Sequence, residues 1–141
     1  MYDYRLSSFK CYPPPRAVLQ GAHAKLLPVL EKTKSTYILW YNYRDSFPKK
    51  SRYTFGDKID RLFLDILELL NLATYQKVED KLLTLSKTIL KLDALKFFFM
   101  ISWEVKILDN QKYIILSEHL QELGRMIGGW KKGLETKTSQ S

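Results

Sequence analysis

Beyond its carboxylates, the chain offers little for metal-ligand or nucleophile chemistry: His23, His119 and Cys11 are its only histidines and cysteine. His23 lies in an irregular N-terminal stretch and His119 in a helical one, so neither a paired-histidine site nor a histidine relay has material to work with. Helical bundles that hold two metal ions use Glu-x-x-His pairs. Position 116, three before His119, is leucine, which excludes a di-metal oxygenase. A single cysteine excludes both an intrachain disulfide framework and a thiolate zinc cluster. Glu118 and Glu122 stand one helical turn apart as a candidate carboxylate pair, but Arg125 follows three residues later, the pattern of a solvated charged face. No G-x-x-x-x-G-K-[ST] loop is present, and no strand precedes a glycine cluster. The expectation is a protein without catalytic residues, metal or cofactor.

What remains is charge. Lys and Arg number 23 against 15 Asp and Glu, a formal net charge of +8. Lys49, Lys50 and Arg52 cluster together, with Lys58 and Arg61 close behind. Lys77, Lys81, Lys87, Lys91 and Lys96 follow, then Arg125, Lys131 and Lys132 near the end. Such an excess suits a polyanion, RNA or DNA, because each phosphate neutralised releases condensed counterions. Dispersed lysines also serve as plain solvated surface, so net charge alone defines no site. The candidate binding set is Lys49, Lys50, Arg52, Lys58, Arg61, Lys87, Lys91, Lys96, Arg125, Lys131 and Lys132.

The elements that position these residues are read from composition and periodicity. At 141 residues, 45% hydrophobic and 27% charged, the chain has globular usage and the length of one domain. No apolar run approaches the roughly 20 residues of a membrane span, and no secretory signal is evident, so the cytoplasm is the expected compartment. Residues 1–24 form an irregular extension with Pro13, Pro14 and Pro15 in a row, which cannot continue a helix.

Beyond it every apolar pattern has helical spacing. The first helix is expected from about Leu26 to Asp45, with Leu27, Leu30, Tyr37 and Tyr41 on one face and Trp40 beside them. The second starts between Pro48 and Thr54 and runs to about Tyr75, with Ile59, Leu62, Phe63, Ile66, Leu69, Leu70 and Ala73 along one stripe. The third spans about Val78 to Ile107. The fourth runs from about Asn110 to Lys132, capped by Asp109 or Asn110, with a seam of Tyr113, Leu116, Leu120, Leu123, Ile127 and Trp130. Short links make neighbours antiparallel. The fold is an all-α, up-down-up-down four-helix bundle over residues 25–133, followed by a flexible polar tail over 134–141.

The third helix carries two apolar stripes. Leu85, Leu92, Phe99 and Trp103 form one. Leu83, Leu90, Phe97, Ile101 and Leu108 form the other, offset by two residues and hence about 200° around the axis. One stripe faces the core and the other needs a cover; on the second helix Leu64 lies nearly opposite the main stripe. Leu64, Leu83, Leu90, Phe97 and Ile101 are therefore expected to form a homo-oligomer interface, unless the helix is simply enclosed on all sides. Around a closed ring a modest basic patch would become a continuous basic surface. Gly124 and Gly128, one turn apart beside the fourth seam, suit close helix approach. Trp130 reads as the last core residue of that seam in preference to a base-stacking platform, and Tyr53 with Phe55 either staples the turn or stacks on bases.

The run Phe47-Pro48-Lys49-Lys50-Ser51-Arg52-Tyr53-Thr54-Phe55-Gly56-Asp57-Lys58-Ile59, followed by Leu64-Asp65-Ile66-Leu67-Glu68-Leu69-Leu70, resembles the second-helix signature of a known family. That family is the accessory proteins of diversity-generating retroelements, the Avd-like four-helix bundles. Leu120-Gln121-Glu122-Leu123-Gly124-Arg125-Met126-Ile127-Gly128-Gly129-Trp130 resembles its fourth-helix signature. The resemblance covers about residues 26–132. It implies a homopentameric barrel that binds the retroelement's reverse transcriptase and nucleic acid, template RNA or cDNA, and supports mutagenic retrohoming without catalysing it. By position, Arg52, Lys58 and Arg125 match the family's basic motif positions and Lys96 the first of two on the third helix. At the second, Met100 stands where the family often has arginine, and residues 1–24 have no counterpart. Two other readings stay open: a helical protein–protein scaffold using the spare stripe, and a bundle of the kind encoded in ribosomal RNA intervening sequences.

Overall fold

A computed structural model describes residues 27–140. The extension over 1–24, with Cys11, His23 and the proline run, lies outside the described residues. All regular structure among the described residues is helical. Helix α1 is Pro28–Arg44. Helix α2 begins as Lys49–Ser51, passes through a π-turn at Arg52–Gly56 and continues as Asp57–Tyr75. Helix α3 is Val78–Glu104 and α4 is Asn110–Gln140. α2 packs along α3, α3 along α4, and α1 against both α2 and α4, which closes a four-helix bundle. None of these helices is long and apolar enough to cross a membrane.

The start of α1, the end of α3 and the start of α4 each have a local cause. Pro28 occupies the first turn of α1, where its missing N–H leaves no bond unmade. Asp109 caps α4, its Oδ1 accepting the Lys112 N–H at 2.9 Å. α3 ends three residues before the expected Ile107. Lys106 takes a left-handed φ of 67°, its N–H bonds to the Trp103 carbonyl, and Ile107 N–H to that of Ser102, the arrangement of a Schellman cap. Lysine in this conformation is strained where glycine is not. Lys106→Gly is therefore expected to raise stability by about 1 kcal/mol in urea denaturation; a loss of stability would contradict the cap.

Two expectations about α4 are corrected. The helix does not fray after Gly133: residues 134–140, expected as a flexible polar tail, continue it, and Leu134 packs against the core. Gly133 has an ordinary negative φ, so nothing stops the helix there. Gly124 lies against α3, where an added Cβ would stand 3.3 Å from Lys96 Nζ and 3.6 Å from Leu92, but Gly128 meets nothing within 4 Å. Of these two glycines, only Gly124 serves close packing within the chain.

The core centres on Trp40, which is fully buried and packs edge-on against Phe47 at 5.2 Å and Phe99 at 5.3 Å. In α1 the buried set is Val29, Leu30, Thr33, Thr36 and Trp40. Tyr41, expected on the inner face, is exposed, and Tyr37 is half-buried against Phe63. The phase runs through two threonines whose hydroxyls donate to Val29 and Lys32 carbonyls at 2.7 Å, which lets them sit in an apolar core. The α2 stripe is buried as expected except for half-buried Leu69, and the α4 seam holds Leu116, Leu120, Leu123 and Ile127 fully inside. Trp130 is half-buried at its end, packed on the core with Lys81 Nζ 5.8 Å from its ring centroid.

Candidate nucleic-acid interface and assembly surface

The entry to α2 is held by a network that the motif residues build. Phe47 is buried under Trp40, and Arg52 Nε donates to the Phe47 carbonyl at 3.1 Å, folding the π-turn back onto the loop. Trp40 Nε1 donates to Asp60 Oδ1 at 2.8 Å. Arg44 reaches Asp57 Oδ1 and Asp60 Oδ2, both at 3.3 Å, clamping the end of α1 to the first turns of α2. Gly56 makes room for this clamp, because a Cβ there would stand 3.3 Å from Arg44 Nε. The π-turn itself, with the Asp57 N–H bonded to the Arg52 carbonyl, adds one residue to the helix and shifts the phase of everything before it.

This network sorts the expected basic residues. Arg52 is partly used by the Phe47 carbonyl. Lys91 pairs with Asp65 across the α2–α3 seam at 3.0 Å, Lys131 with Glu135 at 3.0 Å, and Arg125 with Glu122. Lys49, Lys50, Lys58, Arg61, Lys87, Lys96 and Lys132 are exposed and have no carboxylate within ion-pair distance among the described residues. The acids nearest in sequence to Lys58 and Arg61, Asp57 and Asp60, are held by Arg44 on the α1 side. The set does not converge on one spot. Lys49 and Lys50 begin α2 at one end of the bundle, whereas Lys131 and Lys132 lie at the other, separated by nearly the length of α3, about 40 Å at 1.5 Å per residue.

The second stripe of α3 faces solvent in the single chain. Leu83 is 65% exposed, Leu90 69% and Phe97 52%, and Leu64 on α2 is 50% exposed. Ile101 is half-buried, and Leu108 belongs instead to the core, since the chain turns inward after Lys106. Trp103, expected on the inner stripe, lies at the edge, stacked on Tyr113 at 4.9 Å with its indole N–H donating to Asn110. At 3.6 residues per turn, Leu83, Leu90 and Phe97 share one line along the helix, an apolar seam with no internal cover.

The carboxylates weighed for catalysis are spread over a shallow surface of Lys32, Glu118, His119, Glu122 and Arg125. Lys32 Nζ donates to His119 Nδ1 at 2.8 Å, leaving the imidazole proton on Nε2. Burial holds the His119 pKa below the ordinary histidine value, and the Lys32 charge adds to this against the opposing pull of Glu118. A neutral histidine tied to an ammonium, beside an Arg125–Glu122 ion pair, is a surface network with no activated nucleophile. No group of three His, Cys, Asp or Glu side chains among the described residues is placed to hold a metal.

Sequence reasoning missed the Trp40–Asp60–Arg44–Asp57 clamp; the Asp57 and Asp60 spacing at the head of α2 is its only signal. It also missed Phe98, which packs edge-on with Phe55 at 6.5 Å and Phe97 at 5.5 Å beside the π-turn. Among curated proteins, none matches the chain. A model of the bAvd-like family matches residues 28–134, from the first residue of α1 to Leu134 in α4. On that match, joined to the helical bundle described above, the chain belongs to the bAvd-like family, the Avd-like accessory proteins of diversity-generating retroelements.

Proposed function

We propose that this protein is a non-catalytic, cytoplasmic accessory subunit of a diversity-generating retroelement. It assembles into a ring of identical copies, five by family resemblance, and binds the reverse transcriptase together with template RNA or cDNA to support mutagenic retrohoming. The observation that carries the reading is the set of exposed cations without acidic partners among the described residues, Lys49, Lys50, Lys58, Arg61, Lys87 and Lys96, on the same two helices as the uncovered apolar seam. A chain of +8 whose acids are partly consumed by internal pairs presents net positive surface to phosphates. In a ring each subunit repeats that surface, so that weak individual phosphate contacts add along one strand. Arg125 and Lys131, though paired, can exchange a surface carboxylate for phosphate, because exposed ion pairs hold by only about 0–1 kcal/mol.

Binding to RNA or DNA is expected to weaken steeply with salt, log K falling linearly with log salt concentration. The combined Lys49→Ala, Lys50→Ala and Arg61→Ala change is expected to reduce that slope by roughly 2–3, about one for each phosphate left without its cation, with the melting temperature unchanged. Filter binding across a salt series tests this. The rival reading, a protein scaffold docking through the Leu83–Leu90–Phe97 seam with lysines serving solubility, is favoured by the seam's exposure. It predicts no nucleic-acid association even at low salt.

A further inference from the structure

Beside the π-turn lies a shallow cavity of about 280 Å³ lined by Thr54, Phe55, Lys58 and Phe98. Its walls are two aromatic rings set edge-on, and Phe97 leans on the outer side of Phe98. Lys58 Nζ stands 5.7 Å from the Phe98 centroid, covering the ring with a charge that has no carboxylate partner among the described residues. Tyr53, on the same turn, is 67% exposed. Lys49, Lys50 and Arg61, likewise without acidic partners among the described residues, flank the turn in sequence on either side. The π-turn explains why aromatic and basic side chains emerge together: the added residue turns Tyr53 outward and leaves Gly56 facing Arg44.

Aromatic faces from two helices with Lys58 over one of them, and Lys49, Lys50 and Arg61 near in sequence, fit a strand whose bases are exposed and whose backbone is anionic. Duplex bases are stacked on each other and offer no face to such a cavity, so a duplex would meet only the cations. We propose that this cavity seats an unpaired base of single-stranded nucleic acid. The base stacks on the face of Phe98 and meets Phe55 at its edge, while Lys58 swings from the ring to an adjacent phosphate, and Tyr53 receives the neighbouring base. This rests on the nucleic-acid reading above and makes it specific for single strands. It also joins binding to assembly, since Phe97 belongs to the uncovered seam and touches Phe98.

The test is fluorescence anisotropy on the full chain with labelled single-stranded oligonucleotides and hairpin duplexes of equal length, in RNA and DNA form, over a salt series. Unmodified protein is expected to prefer the single strand by about tenfold or more, the range of one to two stacked bases. Phe98→Leu, which keeps the cavity filled with apolar atoms, and Tyr53→Ala, at an exposed position, should each erode that preference. Duplex affinity and the salt slope should be unaltered. Equal affinity for strand and duplex in unmodified protein, or a preference surviving both substitutions, would overturn the cavity while leaving the nucleic-acid reading intact. Absence of binding to either at low salt would remove that reading, and this inference with it.

Discussion

Aspartate at both Leu90 and Phe97 is expected to reduce the assembly to single subunits while the bundle stays folded. Both side chains are more than half exposed in the single chain, so within it the change costs only the helix preference of Asp against Leu or Phe, less than about 1 kcal/mol each. In an assembly the same positions would be covered. There the change removes about 1.5–3 kcal/mol of apolar burial at each site and places unpaired carboxylates between apolar surfaces, at several kcal/mol more. The effect on association is therefore orders of magnitude, against a shift of a few degrees in unfolding. Sedimentation equilibrium beside circular-dichroism melting separates the two. A variant that keeps the native mass would move the interface off this seam.

The second large effect is expected at the centre of the bundle. Trp40→Ala removes a fully buried indole that joins Phe47 in the α1–α2 turn to Phe99 on α3 and donates its N–H to Asp60. Large aromatic truncations in cores cost about 3–5 kcal/mol, and here Asp60 is also left with Arg44 alone of its two partners. Against a total stability of about 5–15 kcal/mol this consumes much of what holds the domain together, with a fall in melting temperature on the order of 10 °C or more. Because the Asp60–Arg44 pair sits beside the missing ring, the head of α2 is expected to loosen first, seen as faster hydrogen exchange at Asp57 to Arg61 than at mid-α3. A loss below about 1 kcal/mol would mean the core tolerates the cavity and the indole is no hub.

The helices are legible because their apolar residues recur at threes and fours. Ile59, Leu62, Phe63, Ile66 and Leu70 are all buried where that spacing puts them. The same arithmetic separates the inner stripe of Leu85, Leu92 and Phe99 from the exposed Leu83, Leu90 and Phe97. It fails where burial is not signalled by an apolar side chain. Thr33 and Thr36 carry the inner phase of α1, but a hydroxyl satisfied by the preceding turn looks polar in sequence, so periodicity puts Tyr41 inside in their stead.

Helix ends are legible from residue type, and two residues behave against type. Lys106 takes the left-handed cap that glycine usually occupies, and Gly133 passes through an unbroken helix. The π-turn at Arg52–Gly56 has no periodic signature at all. For the candidate site the cations are legible as charge, but their partners are not. Lys91 meets Asp65 only because α2 and α3 pack antiparallel in that register, and Arg52 is drawn to the Phe47 carbonyl only because the turn folds back. The aromatic cavity likewise depends on Phe98 coming from a different helix than Phe55.

The proposed ring draws on a seam of leucine and phenylalanine that a single chain leaves bare and that a second copy would cover. Multi-angle light scattering of the unmodified full chain at micromolar concentration tests this most directly. The account predicts one monodisperse species with a mass several times that of the subunit. A single species at the subunit mass of 16.7 kDa would contradict it.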